Sequence, residues 1–237
     1  MNMLLTVCCR GGSKGVKNKN IRNLAGKPLI AYTLETAKKW GKADTIICST
    51  DSKAVADVAK EYGVEIPFMR PKSLATDTMG KIPVIRHALI ESEKIYDTKF
   101  DIIVDLDVTN PIRTIEDLNN CLKIFQEKDI DFLLSAVKAR KNPYMNMLEI
   151  KKDGLVTISK RLERPILRRQ DAPKVYSANA SIYFYRREFL LDEKSNWPLS
   201  SNRVIIYLMN EWSAVDIDTE LDFRFIEFLI KDRLVSI

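Results

Sequence analysis

The strongest constraint on the fold is an alternation of short apolar runs with amphipathic stretches of helical period. Apolar runs occupy residues 4–9, 45–49, 64–69, 102–106 and 132–137. Each is too short for a helix and is bounded by Gly, Asp, Ser or Pro, as expected for strands buried on both faces of a parallel sheet. Between them, residues 28–39, 52–62, 81–96 and 114–128 carry apolar side chains at helical spacing. Pro28 suits a first helical turn, and Ser52 and Thr114 suit N-caps. Repeated strand–helix–strand order predicts an α/β fold, doubly wound and Rossmann-like, around a mainly parallel sheet. Ligands of such sheets bind outside the carboxyl ends of the strands.

The rhythm changes after Lys138. Residues 139–185 contain short alternating pieces, a turn at Asp153-Gly154 and a basic, proline-containing stretch at 160–174. They predict a small antiparallel insertion. Residues 203–209 then read as a core strand and 219–232 as a closing helix. The chain has 237 residues and no repeat, low-complexity tract or clear linker. One domain spanning 1–237, with an insertion at approximately 139–185, is the expected organisation.

Charge is distributed unevenly. The formal net charge is +6, yet residues 1–34 hold six bases (Arg10, Lys14, Lys17, Lys19, Arg22, Lys27) and no acid. The rest of the chain is balanced, so the whole surplus lies near the first strand. That points to an anionic partner bound at one place. Other classes fall away. No apolar stretch approaches the ~20 residues of a membrane helix, and a secretory signal is not expected, because the positive charges follow the first apolar run. Cys8, Cys9, Cys48 and Cys121 show no zinc-ligand spacing, and His87 is the only histidine. Free thiols in a cytoplasmic protein fit this pattern.

The segment from Arg10 to Asn20 contains Gly11, Gly12, Ser13, Lys14, Gly15 and Lys19 directly after the first strand. Glycines allow close backbone approach and an anion nest, while Arg10, Lys14 and Lys19 can neutralise phosphate. The spacing matches neither a Walker loop nor GxGxxG. The alternative is a solvated basic surface loop.

The string RGGSKGVKNKNIRNLAGKPLI from Arg10 resembles the N-terminal signature of the acylneuraminate cytidylyltransferases, the CMP-sialic acid synthetases and their relatives. RPKSLATDT from Arg70, RRQDAPKVYSANASIYFY from Arg168 and AVDIDTELDF from Ala214 agree in order and spacing. KIPVIRHAL from Lys81, LDVTNPIR from Leu106 and ARKNPYMN from Ala139 resemble the branch that activates legionaminic acid. The resemblance spans nearly the whole chain. It implies a nucleotide-diphospho-sugar transferase type of fold and the reaction of CTP with a nonulosonic acid to give a CMP-sugar and pyrophosphate, with Mg²⁺. It also implies a homodimer in which the insertion is a dimerisation arm, with neither nucleic acid nor membrane as partner.

By that resemblance, Lys19 holds the α-phosphate, and Arg10 with the Ser13 and Lys14 backbone takes the β- and γ-phosphates. Asn20 and Arg70 support the nucleotide. Arg168, Arg169 and Gln170 contact the sugar, an arginine pairing with its carboxylate, and Asn179 and Tyr183 belong to the same segment. Asp216 and Asp218 flank Ile217, so in an extended chain they share one side and can ligate Mg²⁺ through hard oxygens. The bland alternatives are a helix cap near Thr219 for the aspartates, an exposed basic loop for the arginines, and core packing for Tyr183 and Phe184.

Two departures bear on the substrate. Asp107 stands where most sialic acid members have glutamine, and Gly80-Lys81 replaces a small hydroxylic pair. An acid near the sugar predicts hydrogen-bond donors or a positive substituent on it, which favours a legionaminate-like acid. Activation of N-acetylneuraminate, pseudaminate or 3-deoxy-manno-octulosonate is the alternative within the class, and a basic nucleic-acid-binding protein the alternative outside it.

Overall fold

The structure is a computed structural model that describes residues 1–164 and 166–235. The chain runs β1 (Met3–Cys8), β2 (Asn23–Leu24), β3 (Lys27–Pro28), α1 (Leu29–Trp40), β4 (Thr45–Ser49), α2 (Lys53–Glu61), α3 (Lys81–Tyr96), β5 (Ile102–Leu106) and α4 (Ile115–Glu127). It continues through β6 (Phe132–Lys138), β7 (Leu148–Ile150), β8 (Val156–Ile158), β9 (Tyr176–Arg186), α5 (Arg187–Leu191), β10 (Val204–Leu208) and α6 (Glu220–Lys231). Six strands form the central sheet in the order β10-β6-β9-β5-β1-β4. All neighbours pair in parallel except β9, which runs antiparallel to both β5 and β6.

Strand alternation divides the core in two. Leu5, Val7 and Val104 pack with α1, α2, α4 and α6 on one face, while Leu4, Ile47 and Ile103 pack with α3 and α5 on the other. Helices α2, α4 and α6 begin at side-chain caps. Ser52 accepts from the Val55 N–H, and Thr114 and Thr219 each form a reciprocal capping box, with Asp117 and Asp222.

Two expectations need correction. Residues 64–69 form no strand; a single bridge joins Glu65 to Ile47. Pro67 lacks the N–H that a ladder needs, which confines this run to the sheet margin. The insertion also ends earlier than 185. Residues 176–186 are the long strand β9, whose Ile182 and Phe184 enter one core and Tyr183 and Tyr185 the other. Burial on both faces makes β9 a central strand, and the described residues between 139 and 175, with the β7–β8 hairpin, lie outside the central sheet.

Candidate active site

The carboxyl ends of β1 and β5 converge on a cavity of about 430 Å³ lined by residues of the glycine-rich loop, the segment from Arg70 to Lys81, residues 107–109 and Asp218. The loop is held from below. Asn20 donates to the Arg10 carbonyl (2.8 Å), and the Gly11 N–H donates to Asp51 (2.9 Å). Asn20 is largely buried and braces the loop while lining the cavity. None of Gly11, Gly12 and Gly15 has a positive φ; the left-handed residue of the loop is Asn18, at φ 53°. Gly11 and Gly15 serve close approach, while Gly12 faces open space. A Cβ on Gly15 would overlap the carbonyl oxygen of Asp218, and one on Gly11 would lie 2.7 Å from Ser52 Cβ.

The loop cations point to two places. Lys19 Nζ donates to the Ile217 carbonyl (2.5 Å) and lies 3.5 Å from Asp218 Oδ1. Arg10 (2.6 Å) and Lys14 both pair with Asp77, whose carboxyl their hydrogen bonds, Lys14's first, hold below the usual range. Arg70 lines the cavity as expected, but its buried guanidinium donates to Ser49 Oγ (3.2 Å) and to the Ser49 carbonyl. It braces the end of β4.

Asp216 and Asp218 do not sit on a regular extended strand. The Asp218 N–H returns to the Asp216 carbonyl (3.1 Å), while Ile217 is buried and bonded to Thr109 (2.9 Å). The chain turns there, leaving Asp218 in the cavity wall and Asp216 behind it. Burial, then the charges of Asp107 and Asp218, push the Asp216 carboxyl up to about 7, and its Oδ1 has no hydrogen-bond partner.

The floor of the cavity carries a charge cluster. Lys81 Nζ lies 2.7 Å from Asp105 and 2.6 Å from Asp107, and 4.5 Å above the Tyr183 ring. Burial opposes the Asp107 charge, but Lys81 and the Thr109 donors hold its carboxyl below the usual range. This corrects the inference drawn from Asp107 alone. Lys81 already supplies the positive charge that the acid was expected to seek in the sugar. Because Asp105 is fully buried, Lys81→Met should destabilise the fold by about 2–4 kcal/mol, removal of one partner leaving buried carboxylates uncompensated. Urea unfolding at pH 7 measures this, and Asp107→Asn in the same chain should recover part of the loss.

Other expected sugar contacts lie elsewhere. Asn179 is buried between Ser135 Oγ (2.7 Å) and the Ser213 carbonyl (2.8 Å), where it anchors the approach to Asp216. Tyr183 stacks at 6.1 Å on Phe132, beneath Lys81, and Phe184 faces the opposite core, as strand alternation requires. Arg168, Arg169 and Gln170 are exposed and do not line the cavity. The Arg168 fork is taken by Asp171 (2.8 and 3.1 Å), and Arg169 donates to the Arg140 carbonyl (2.8 Å). The roles of Asp77, Lys81 and Gly15 escaped the sequence reading. Asp77 carried a signal, an acid within the RPKSLATDT segment, but its partners lie more than sixty residues away.

The model described as Cytidylyltransferase matches residues 5–233. The chain belongs to the cytidylyltransferase family. This cytidylyltransferase is 43% identical over 234 residues to the CMP-N,N'-diacetyllegionaminic acid synthase of Campylobacter jejuni, covering 99% of this chain and 97% of that protein. It is also 43% identical to post-translational flagellin modification protein B of Campylobacter coli, covering 98% and 96% respectively. Pseudaminic acid cytidylyltransferase of C. jejuni is 28% identical over 98% of this chain and 97% of its own. Among solved structures, CMP:2-keto-3-deoxy-manno-octonic acid synthetase complexed with CTP superposes with a TM-score of 0.71 at 14% identity, over 98% of this chain and 100% of that one. That likeness supports the mixed α/β fold. Among the described residues no helix is long and apolar enough to cross a membrane.

Proposed function

We propose that this cytidylyltransferase transfers CMP from CTP to a nonulosonic acid of the legionaminic type, releasing pyrophosphate. The observation that carries the reading is the convergence of Arg10, Lys14 and Lys19 with Asp218 on one cavity at the carboxyl ends of the strands. The sugar C2 hydroxyl attacks the α-phosphorus in line with departing pyrophosphate. Phosphoryl chemistry of this kind is mainly positioning and charge neutralisation, which the loop cations supply. Lys19 is assigned to the α-phosphate, and Arg10 with Lys14 to the β- and γ-phosphates.

The donor set fits a divalent cation. Asp218 lies in the cavity wall, and Asp216, two residues before it, keeps a buried carboxylate oxygen without a hydrogen-bond partner behind that wall. That suits Mg²⁺, which takes one or two carboxylates plus substrate phosphates and waters. Bound there by Asp216 and Asp218, it would neutralise triphosphate charge and acidify the sugar hydroxyl.

The arm at 139–175 is assigned to homodimerisation, supported by exposed Leu148, Ile150, Leu155 and Leu167. Arg168 and Arg169 would then act in the partner's cavity. We place the enzyme in the cytoplasm, where CTP is made. The nucleic-acid alternative lacks support, because the loop cations converge on a cavity rather than along a stripe.

Identity of 43% to the legionaminate enzyme of Campylobacter jejuni, against 26–29% to N-acylneuraminate and pseudaminic acid enzymes, supports the legionaminic substrate, while the legionaminate enzyme of Legionella pneumophila is 29% identical. Pyrophosphate release with a panel of N,N'-diacetyllegionaminic, N-acetylneuraminic, pseudaminic and 3-deoxy-manno-octulosonic acids tests this. The first should show the highest kcat/KM, by at least about tenfold, since unmatched polar substituents leave site groups unpaired. Preference for N-acetylneuraminate would overturn the substrate, and no release with any acid would overturn the activity.

A further inference from the structure

We propose that Asp77 is a built-in competitor that loosens the grip of the glycine-rich loop on the β- and γ-phosphates and so favours pyrophosphate release, by occupying the two cations that those phosphates must take. The proposal rests on the CTP reading above. One carboxylate oxygen of Asp77 meets Arg10 NH1 at 2.6 Å and the other meets Lys14 Nζ. A single anion thus bridges two side chains of the glycine-rich loop, as a phosphate would. The carboxylate reaches them from the 70–80 segment, which forms another wall of the same cavity. Lys19, the loop's third cation in the cavity, is turned away toward Ile217 and Asp218. Asp77 therefore blocks the distal part of the phosphate site and leaves the Lys19 end untouched.

The block is displaceable. The Asp77 side chain is 45% exposed and that of Lys14 76% exposed, so a ligand can reach the pairs and solvent screens them. A β,γ-diphosphate carries more charge and more acceptor oxygens than one carboxylate, and it can take both cations at once. A nucleoside monophosphate reaching only Lys19 need not displace Asp77, so its binding is unaffected. The competitor thus weakens the hold on the distal phosphates alone, and the affinity for pyrophosphate is a difference between its own contacts and those of Asp77. The same carboxylate can return to Arg10 and Lys14 after the α-phosphorus–oxygen bond breaks, which favours departure of pyrophosphate.

The test is calorimetric binding of pyrophosphate and of CMP, without divalent cations and at fixed ionic strength, to the native chain, Asp77→Asn and Asp77→Glu. Asp77→Asn should tighten pyrophosphate roughly three- to tenfold, as two exposed ion pairs no longer compete, and should leave CMP within about twofold because its contacts lie at Lys19. Asp77→Glu, which keeps the charge, should bind pyrophosphate as the native chain does. In turnover, Asp77→Asn should lower KM for CTP and strengthen product inhibition by pyrophosphate. Unchanged or weaker pyrophosphate binding in Asp77→Asn would overturn the proposal, as would equal tightening of CMP. A native chain that binds pyrophosphate while the variant behaves identically sinks this proposal alone. A native chain that binds neither CTP nor pyrophosphate sinks the nucleotide reading with it.

Discussion

Gly15→Ala is expected to lower kcat by about two orders of magnitude in a chain that still folds. The added methyl group would overlap the carbonyl oxygen of Asp218, so the glycine-rich loop and the Ile217–Asp218 turn could no longer hold their present separation. Lys19 spans that gap through the Ile217 carbonyl, and Asp218 lines the cavity on the other side. A displacement of about 1 Å between groups that must act on one phosphorus costs on the order of 10²-fold. Overpacking at the loop base should also cost about 1–3 kcal/mol of stability. Pyrophosphate release measured beside urea unfolding separates the two effects. Wild-type turnover in Gly15→Ala would show that the loop need not approach Asp218 so closely.

Lys19→Ala is the second large loss, about 10²–10³ in kcat, the scale for removing one preorganised group that stabilises transition-state charge. Lys19 is largely buried, with its side chain 12% exposed, so the charge it presents is weakly screened and already oriented. If its contact strengthens as charge develops at the α-phosphate, kcat should fall while KM for CTP moves little. A change confined to KM would instead assign Lys19 to uniform binding. Lys14→Ala provides the contrast: its exposed ammonium is held by Asp77, and its loss should act mainly on KM.

Much of the scaffold was legible because the relevant signals are local. Four of the five early apolar runs became sheet strands, and Ser52, Thr114 and Thr219 cap their helices as their residue types predict. The misses have physical causes. Pro67 removed a donor from a run that otherwise reads as a strand, and residues 176–185 read as part of the insertion until pairing with β5 and β6 made β9 central. The site divides in the same way. The loop residues and Asp218 line one cavity together with Arg70 and Asn20, while Asn179 lies outside that lining; Asn179, Arg70 and Asn20 are also engaged by backbone or buried side-chain partners that no local pattern announces.

By itself, the sequence determined the α/β alternation, the confinement of surplus positive charge to the first 34 residues, and the family that those motifs resemble. These depend on the order of residue types along the chain, and short-range patterning suffices to encode them. Only the tertiary structure decided which charges meet. Lys81 reaches Asp105 and Asp107 from another element, Asp77 reaches Arg10 and Lys14 across the cavity, and Gly15 makes room for Asp218 from the far end of the chain. Ion pairing and steric exclusion act over a few ångströms in space. Folding sets those distances, and separation along the sequence does not contain them.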